Sequence, residues 1–297
     1  MRLTRTTLLL LVLSSAGLAQ DREFTLLERE LDYLLQTWPG DYDNVEQTSF
    51  DAAAGAPERR RVHVSIERTD LPELGEAVLT VREYWSNDPE TVTRDELYVI
   101  EPDAEANALR ATVYRIDDGR PVRRAGCDLL IRRDGSTLVG TTDSCTSDGT
   151  YRSYGLRVGS DSLWFTDRDA ADAGSWYQLE KARWFACMID FPREPGGRPV
   201  VTHHYIKIHD QGGAFPFVHP DGRPMVLLMR NTWSYGMQRE TFFIGVMDEV
   251  ESGPTLVYAW GSPGSDRIGV NPGYLRVQCD LDTARHVELQ HGLRPDS

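Results

Sequence analysis

Apolar positions recur at helical spacing in one stretch of this chain. Phe24, Leu27, Leu31, Leu34, Leu35 and Trp38 lie three or four apart, and Pro39-Gly40 closes the run, so the spacing predicts one amphipathic helix there. From that point the period falls to two. Val62, Val64 and Ile66 alternate with polar neighbours, as do Leu79 and Val81, then Leu97 and Val99. Further strands are expected near 42–50, 109–116, 128–133, 137–141, 150–158, 161–166 and 176–185. Asp117-Asp118-Gly119, Asp134-Gly135 and Asp148-Gly149 supply turns between several of them. Roughly nine or ten short antiparallel strands behind one helix predict a closed or nearly closed barrel.

The pattern breaks at the loop Phe191-Pro192-Arg193-Glu194-Pro195-Gly196-Gly197-Arg198-Pro199. A second strand-rich stretch follows, with strands expected at 200–208, 225–230, 240–248, 255–260 and 273–279. The expected organisation is therefore a barrel over 20–185 and a small β-sandwich-like domain over 186–297, with a loose tail from about 284. Residues 1–19 read as a signal peptide: Arg2 and Arg5, the apolar run Leu8–Leu13, then Ala16-Gly17-Leu18-Ala19 before Gln20. That run is too short to span a bilayer, and no cysteine follows the cleavage site to carry a lipid. The expectation is an exported chain, periplasmic or secreted.

Export changes the reading of the cysteines. There are four, an even number, and in an oxidising compartment they fit two bridges. Nearest pairing joins Cys127 to Cys145 across the hairpin that turns at Asp134-Gly135, and Cys187 to Cys279 at the two ends of the second domain. Loss of Arg2 and Arg5 with the leader takes the formal charge from -14 to -16. Such a surface argues against nucleic acid and anionic membranes as partners.

Local motifs add little chemistry. There is no Gly-x-Ser-x-Gly elbow, no phosphate loop and no Cys-x-x-Cys. On a regular strand His203, Tyr205, Lys207 and His209 would share a face, but Lys207 repels a cation and no metal site is expected. Trp164, Trp176, Tyr177 and Trp184 suit either a filled barrel or a flat ligand.

Residues 25–185 resemble the CpcT/CpeT chromophore lyase family. The likeness lies in Trp38-Pro-Gly-Asp-Tyr-Asp-Asn-Val-Glu-Gln47, Leu79-Thr-Val-Arg-Glu83, Thr93-Arg-Asp-Glu-Leu-Tyr98, and above all the Gly126-Cys127-Asp128 hairpin with Gly140 and Cys145. The resemblance implies an all-β, calycin-like antiparallel barrel that binds a linear tetrapyrrole (bilin) and presents it to a cysteine thiol of a phycobiliprotein-like acceptor. The bilin would be a ligand, not a covalent cofactor of this chain, and the resemblance admits a homodimer. In the family, a glutamate and two arginines hold the bilin propionates. Arg94 matches the first arginine, Glu96 stands where the second would be, and Arg82 stands where the glutamate would be. The exchanged charges imply a cross-strand pair Arg82–Glu96, with Arg82 and Tyr84 on one strand and Arg94, Glu96 and Tyr98 on the next forming the ligand wall. The competing expectation is an exported, non-catalytic barrel that binds a small apolar ligand or a protein partner. Phycobiliproteins are assembled in the cytoplasm, which favours this second reading for an exported chain. A third is a structural envelope protein with a filled barrel.

Overall fold

The computed structural model describes residues 25–284, apart from 86–87, 89, 148–149, 167–175, 193–198, 235–237 and 249–254. The expected leader, the C-terminal stretch from 285, the turn at Asp148-Gly149 and most of the Pro/Gly loop lie outside the described residues. Helix α1 (Leu26–Thr37) begins at Thr25, whose hydroxyl accepts from the Glu28 N–H while the Glu28 carboxylate accepts from the Thr25 N–H. This reciprocal box satisfies two of the helix's orphan donors. Its buried Leu34 and Leu35 pack into the barrel core.

The barrel strands are β1 (Gly40–Asp43), β2 (Val62–Arg68), β3 (Val78–Trp85), β4 (Val92–Asp103), β5 (Ala108–Asp117), β6 (Arg120–Arg123), β7 (Leu129–Asp134), β8 (Thr137–Ser147), β9 (Thr150–Val158), β10 (Ser162–Thr166) and β11 (Trp176–Ala182). They pair antiparallel in the order β4-β3-β2-β1-β11-β10-β9-β8-β7-β5, and β5 returns to β4. Ten strands therefore close a ring, and β6 hangs on β5 outside it. Trp38, Tyr42, Tyr98, Leu79, Leu109 and Leu129, all buried, fill the lumen from facing walls. One expected strand is a helix instead. Of the region near 42–50 only Tyr42 and Asp43, the end of β1, are extended, and α2 (Val45–Ala53) follows. The Val45 N–H donates to Asp43 Oδ1 at 2.7 Å, which starts the helix, and Glu46, Gln47, Ala52 and Ala53 favour its continuation.

The second module is a sandwich. Its strands are β12 (Trp184–Pro192), β13 (Pro199–His209), β14 (Gln211–Val218), β15 (Pro224–Ser234), β16 (Arg239–Asp248), β17 (Thr255–Gly261), β18 (Arg267–Val270) and β19 (Arg276–Leu281). One sheet runs β13-β12-β19-β18 and the other β14-β15-β16-β17, with a single apolar core between them. The chain crosses between sheets at Asp210. Gly213 permits this corner, because a Cβ there would lie 2.5 Å from the His209 carbonyl oxygen. Strands β14 and β18 were not expected: both are edge strands, and β14 carries Pro216 and two glycines, which blunt a strand signal.

Both bridges are formed, Cys127–Cys145 and Cys187–Cys279, the latter between register partners of β12 and β19. They fit an oxidising environment. The chain changes sheet at Arg183, the residue between β11 and β12. There, the Arg183 N–H and Nε donate to the two Asp210 carboxylate oxygens at 2.8 and 2.7 Å, and the Asp210 N–H returns a bond to the Arg183 carbonyl. Asp210 is fully buried, so this clamp ties the connection between modules to the sandwich corner.

Candidate functional site

Alternation on β3 and β4 decides which charges enter the barrel. Val81 and Glu83 point inward with Glu96, Arg94 and Tyr98 opposite, because register partners share a face. Arg94 Nη2 lies 3.1 Å from Glu83 Oε2, and its guanidinium stands 5.8 Å from the Tyr154 ring and 5.3 Å from the Phe165 ring, so it reaches across the lumen from β4 to β9 and β10. Glu96, 1% exposed, accepts from Arg124 Nη1 at 2.5 Å and from the Tyr98 hydroxyl at 3.1 Å. Burial pulls the Arg94 pKa down, but Glu83, Tyr154, Glu96 and Tyr98 outweigh it and hold the guanidinium charged.

The expected pair Arg82–Glu96 does not form. Arg82 faces Asp95 across the strands on the outer surface, at 3.5 Å with half its side chain exposed, while Glu96 belongs to the inner face. Successive side chains of a strand point to opposite faces, so residues 82 and 96 cannot meet in this register. The acid beside Arg94 is Glu83, one position along. Of the proposed wall, Arg94, Glu96 and Tyr98 line the lumen; Arg82 and Tyr84 do not. Tyr84 stacks on His63 outside the barrel, with ring centroids 4.7 Å apart. Glu83 and Arg124 were missed; strand alternation alone could have found Glu83.

His63 belongs to the seam between the modules. The Asp43 carboxylate accepts from Arg61 Nε and Nη2, at 3.0 Å each, and from His63 Nδ1 at 3.3 Å. Arg61 Nη2 also donates to the Gln211 and Gly212 carbonyls, joining barrel to sandwich. His209 packs its ring 5.1 Å from that of His63 and 5.1 Å from Trp184, whose Nε1 donates to Asp41. Burial first, and His63 next, push the His209 pKa down to about 3. Asp43, His63 and His209 bring ligand atoms within 4.8 Å of one another. A divalent ion there would meet the Arg61 guanidinium on a carboxylate already committed to it, so the donor set fits a hydrogen-bonded seam better than a metal centre. The expected alternation from His203 to His209 is also broken: Tyr205 has a φ of 59° at a register shift, leaving His203 against Phe191 and Phe217.

Beside the seam lies a cleft of about 720 Å³ between barrel and sandwich. Glu46 of α2, Glu180 of β11 and Glu240 of β16 line it, with Lys181, Gln211 and Asn231. Burial, then Glu46, Glu240 and Asp161, push the Glu180 carboxyl up to about 7. Burial also raises Glu46, helped by Glu240, and lowers Lys181 to about 8. A cleft with titrations displaced toward neutrality is a candidate site on physical grounds. No sequence motif marks it, since its residues come from distant strands.

No family model and no curated protein matches the chain. Among solved structures it is similar to the T-type phycobiliprotein lyase CpeT from Prochlorococcus phage P-HM1, at 14% identity and a TM-score of 0.37, over 51% of this chain and 96% of that one. At that score nothing about residues or activity transfers, and the barrel assignment rests on the strand pairing itself.

Proposed function

We propose that this chain is an exported binding protein whose barrel takes a flat, carboxylate-bearing ligand of the linear tetrapyrrole class. The observation that supports the reading is the pair of guanidiniums, Arg94 and Arg124, reaching lumen carboxylates beside Tyr98, Tyr154 and Phe165. A ligand propionate would replace Glu83 or Glu96 as the partner of a guanidinium, one planar carboxylate for another. The aromatic rings would flank the pyrrole plane. All four cysteines of the chain are bridged, so any thiol that adds to the ligand belongs to an acceptor protein. Such an addition forms a C–S bond across the ethylidene double bond and moves the thiol proton to the tetrapyrrole, which leaves the barrel the work of positioning. Burial of Trp38, Tyr42 and Tyr98 in the lumen favours a second reading, a filled barrel with no ligand.

Absorbance titration of the full chain with phycocyanobilin, biliverdin and haem separates the two. A red shift saturating at one equivalent of a linear tetrapyrrole is expected, weakened at least tenfold by Arg94→Lys and unchanged by Arg82→Ala. Flat spectra for all three pigments leave the filled barrel.

A further inference from the structure

Three carboxylates meet at the cleft with no cation to answer them. Among the described residues Glu46, Glu180 and Glu240 make no ion pair, although they face one another from α2, β11 and β16. Asp161, also at the cleft, accepts from the Ser160 hydroxyl, and the remaining charged groups are engaged elsewhere. Lys181 Nζ donates to the Thr37 carbonyl at 2.7 Å, Arg183 is held by Asp210, and Asp282 pairs with Lys207.

A second deficit lies beside the first. Gln211, 4% exposed, lines the same cleft, and among the described residues its Oε1 has no hydrogen-bond donor. The neighbouring Asn231 gives its Nδ2 to Asp210, while its Oδ1 likewise lacks a donor among the described residues. Buried acceptors without donors are costly and uncommon, and each calls for an explanation. The three glutamates thus have no paired cation and the two amide oxygens no donor, and one ligand chemistry supplies the two together.

We propose that the cleft binds a small organic cation with several N–H donors, of the diamine or polyamine class. Glu46, Glu180 and Glu240 are its counter-charges, and the Gln211 and Asn231 amide oxygens accept its N–H groups. A bare metal ion fits less well. The described group whose ligand atoms come within 4.8 Å is Asp43, His63 and His209, so the three glutamates are spread more widely than one ion could span. Extended amines match that spread, and a cleft of about 720 Å³ falls within the range of about 300–1,000 Å³ usual for small-molecule sites. Glu46 and Glu180 come from the barrel while Glu240, Gln211 and Asn231 come from the sandwich, so the ligand bridges the modules.

Affinity follows the ionisation of Glu180. The groups facing it are Glu46, Glu240 and Asp161 from neighbouring elements, with Lys181 beside it on its own strand. Raising the pH through about 7 completes the negative charge at Glu180, and above about 8 Lys181 gives up its competing charge. Both changes favour a cation.

Isothermal titration of the full chain with putrescine, spermidine and agmatine tests the proposal, with tetramethylammonium and Mg²⁺ as cations lacking N–H groups. One amine is expected to bind one per chain at pH 8, at least tenfold more weakly at pH 6, and to raise the melting temperature. Glu180→Gln and Gln211→Leu should each weaken it fivefold or more. Glu180→Gln relieves repulsion, so it is expected to stay folded, which its melting curve checks. Absence of binding by all three amines at millimolar concentration overturns the proposal. So does equal binding of tetramethylammonium, or an affinity unmoved by Glu180→Gln, since either outcome assigns the binding to the chain's general negative charge.

Discussion

The barrel lumen gathers charge in its interior and the inter-module cleft gathers it at a partly exposed seam, and they resolve it in opposite ways. In the lumen each carboxylate has a guanidinium: Glu83 meets Arg94 and Glu96 meets Arg124. In the cleft three carboxylates face one another, and the basic residues turn elsewhere. The difference separates two kinds of binding. A ligand anion entering the lumen exchanges with a counter-ion already in place, so its gain is a difference between two similar pairs. A ligand cation entering the cleft neutralises charge that had none, so its affinity follows pH and salt directly.

The comparison breaks most visibly if the lumen pair is removed. Arg94→Ala leaves Glu83 buried without its partner, and breaking a buried pair costs roughly 3–5 kcal/mol. Arg82→Ala, at a half-exposed outer pair, should cost no more than about 0.5 kcal/mol. Urea unfolding of both variants measures the contrast. Equal losses would mean that the lumen is wet and that its charges are not a buried network.

The inside and outside of β3 also mark how far the sequence could be read. Alternation made the strands legible, and the two bridges followed from an even cysteine count in a chain expected to be exported. Arg82 failed because a family likeness assigns roles by residue position, while a strand assigns faces by parity. A slip of one residue moved the role from Glu83 to Arg82 and turned it out of the barrel. Helix α2 was hidden because it starts directly at the end of β1, with only Asn44 between them, and the Asp43-Asn44 helix-start signal falls inside the expected strand. The cleft had no signal at all. Glu46, Glu180 and Glu240 share no motif, and it takes barrel closure, the Arg183–Asp210 clamp and the Arg61 bonds across the seam to bring them together.

The seam between the two regions sharpens the comparison under acid. His209 is 4% exposed and its pKa falls to about 3, against an ordinary 6.5, so the folded chain keeps it neutral where the unfolded chain takes up a proton. A lowered pKa on a base means that stability is full above about 6.5 and drains as pH falls toward 3. By pH 5 the loss is about 2 kcal/mol. His209→Phe should flatten that part of the stability curve while keeping the contact with Trp184. An unchanged slope in the variant would move the acid sensitivity away from the seam.

The smallest effect is the most discriminating, because its sign is opposite. Glu180 has its pKa raised from 4.5 to about 7, so between those values the folded chain holds a proton that the unfolded chain has released. Stability from this group therefore falls as pH rises through that window, and above about 7 the folded state carries the full repulsion from Glu46, Glu240 and Asp161. The group is partly solvated, which screens the repulsion, and the penalty is about 1–2 kcal/mol. Glu180→Gln should thus stabilise the chain by about 1 kcal/mol at pH 8 and by nearly nothing at pH 4.5. A carboxylate that rested in an ion pair, as Glu83 does, would give the reverse, a loss at pH 8. Thermal melts of the variant at the two pH values decide between them. A loss at pH 8 would give Glu180 a cation within the chain and make the cleft a second lumen; a gain would leave it a site whose counter-ion comes from outside.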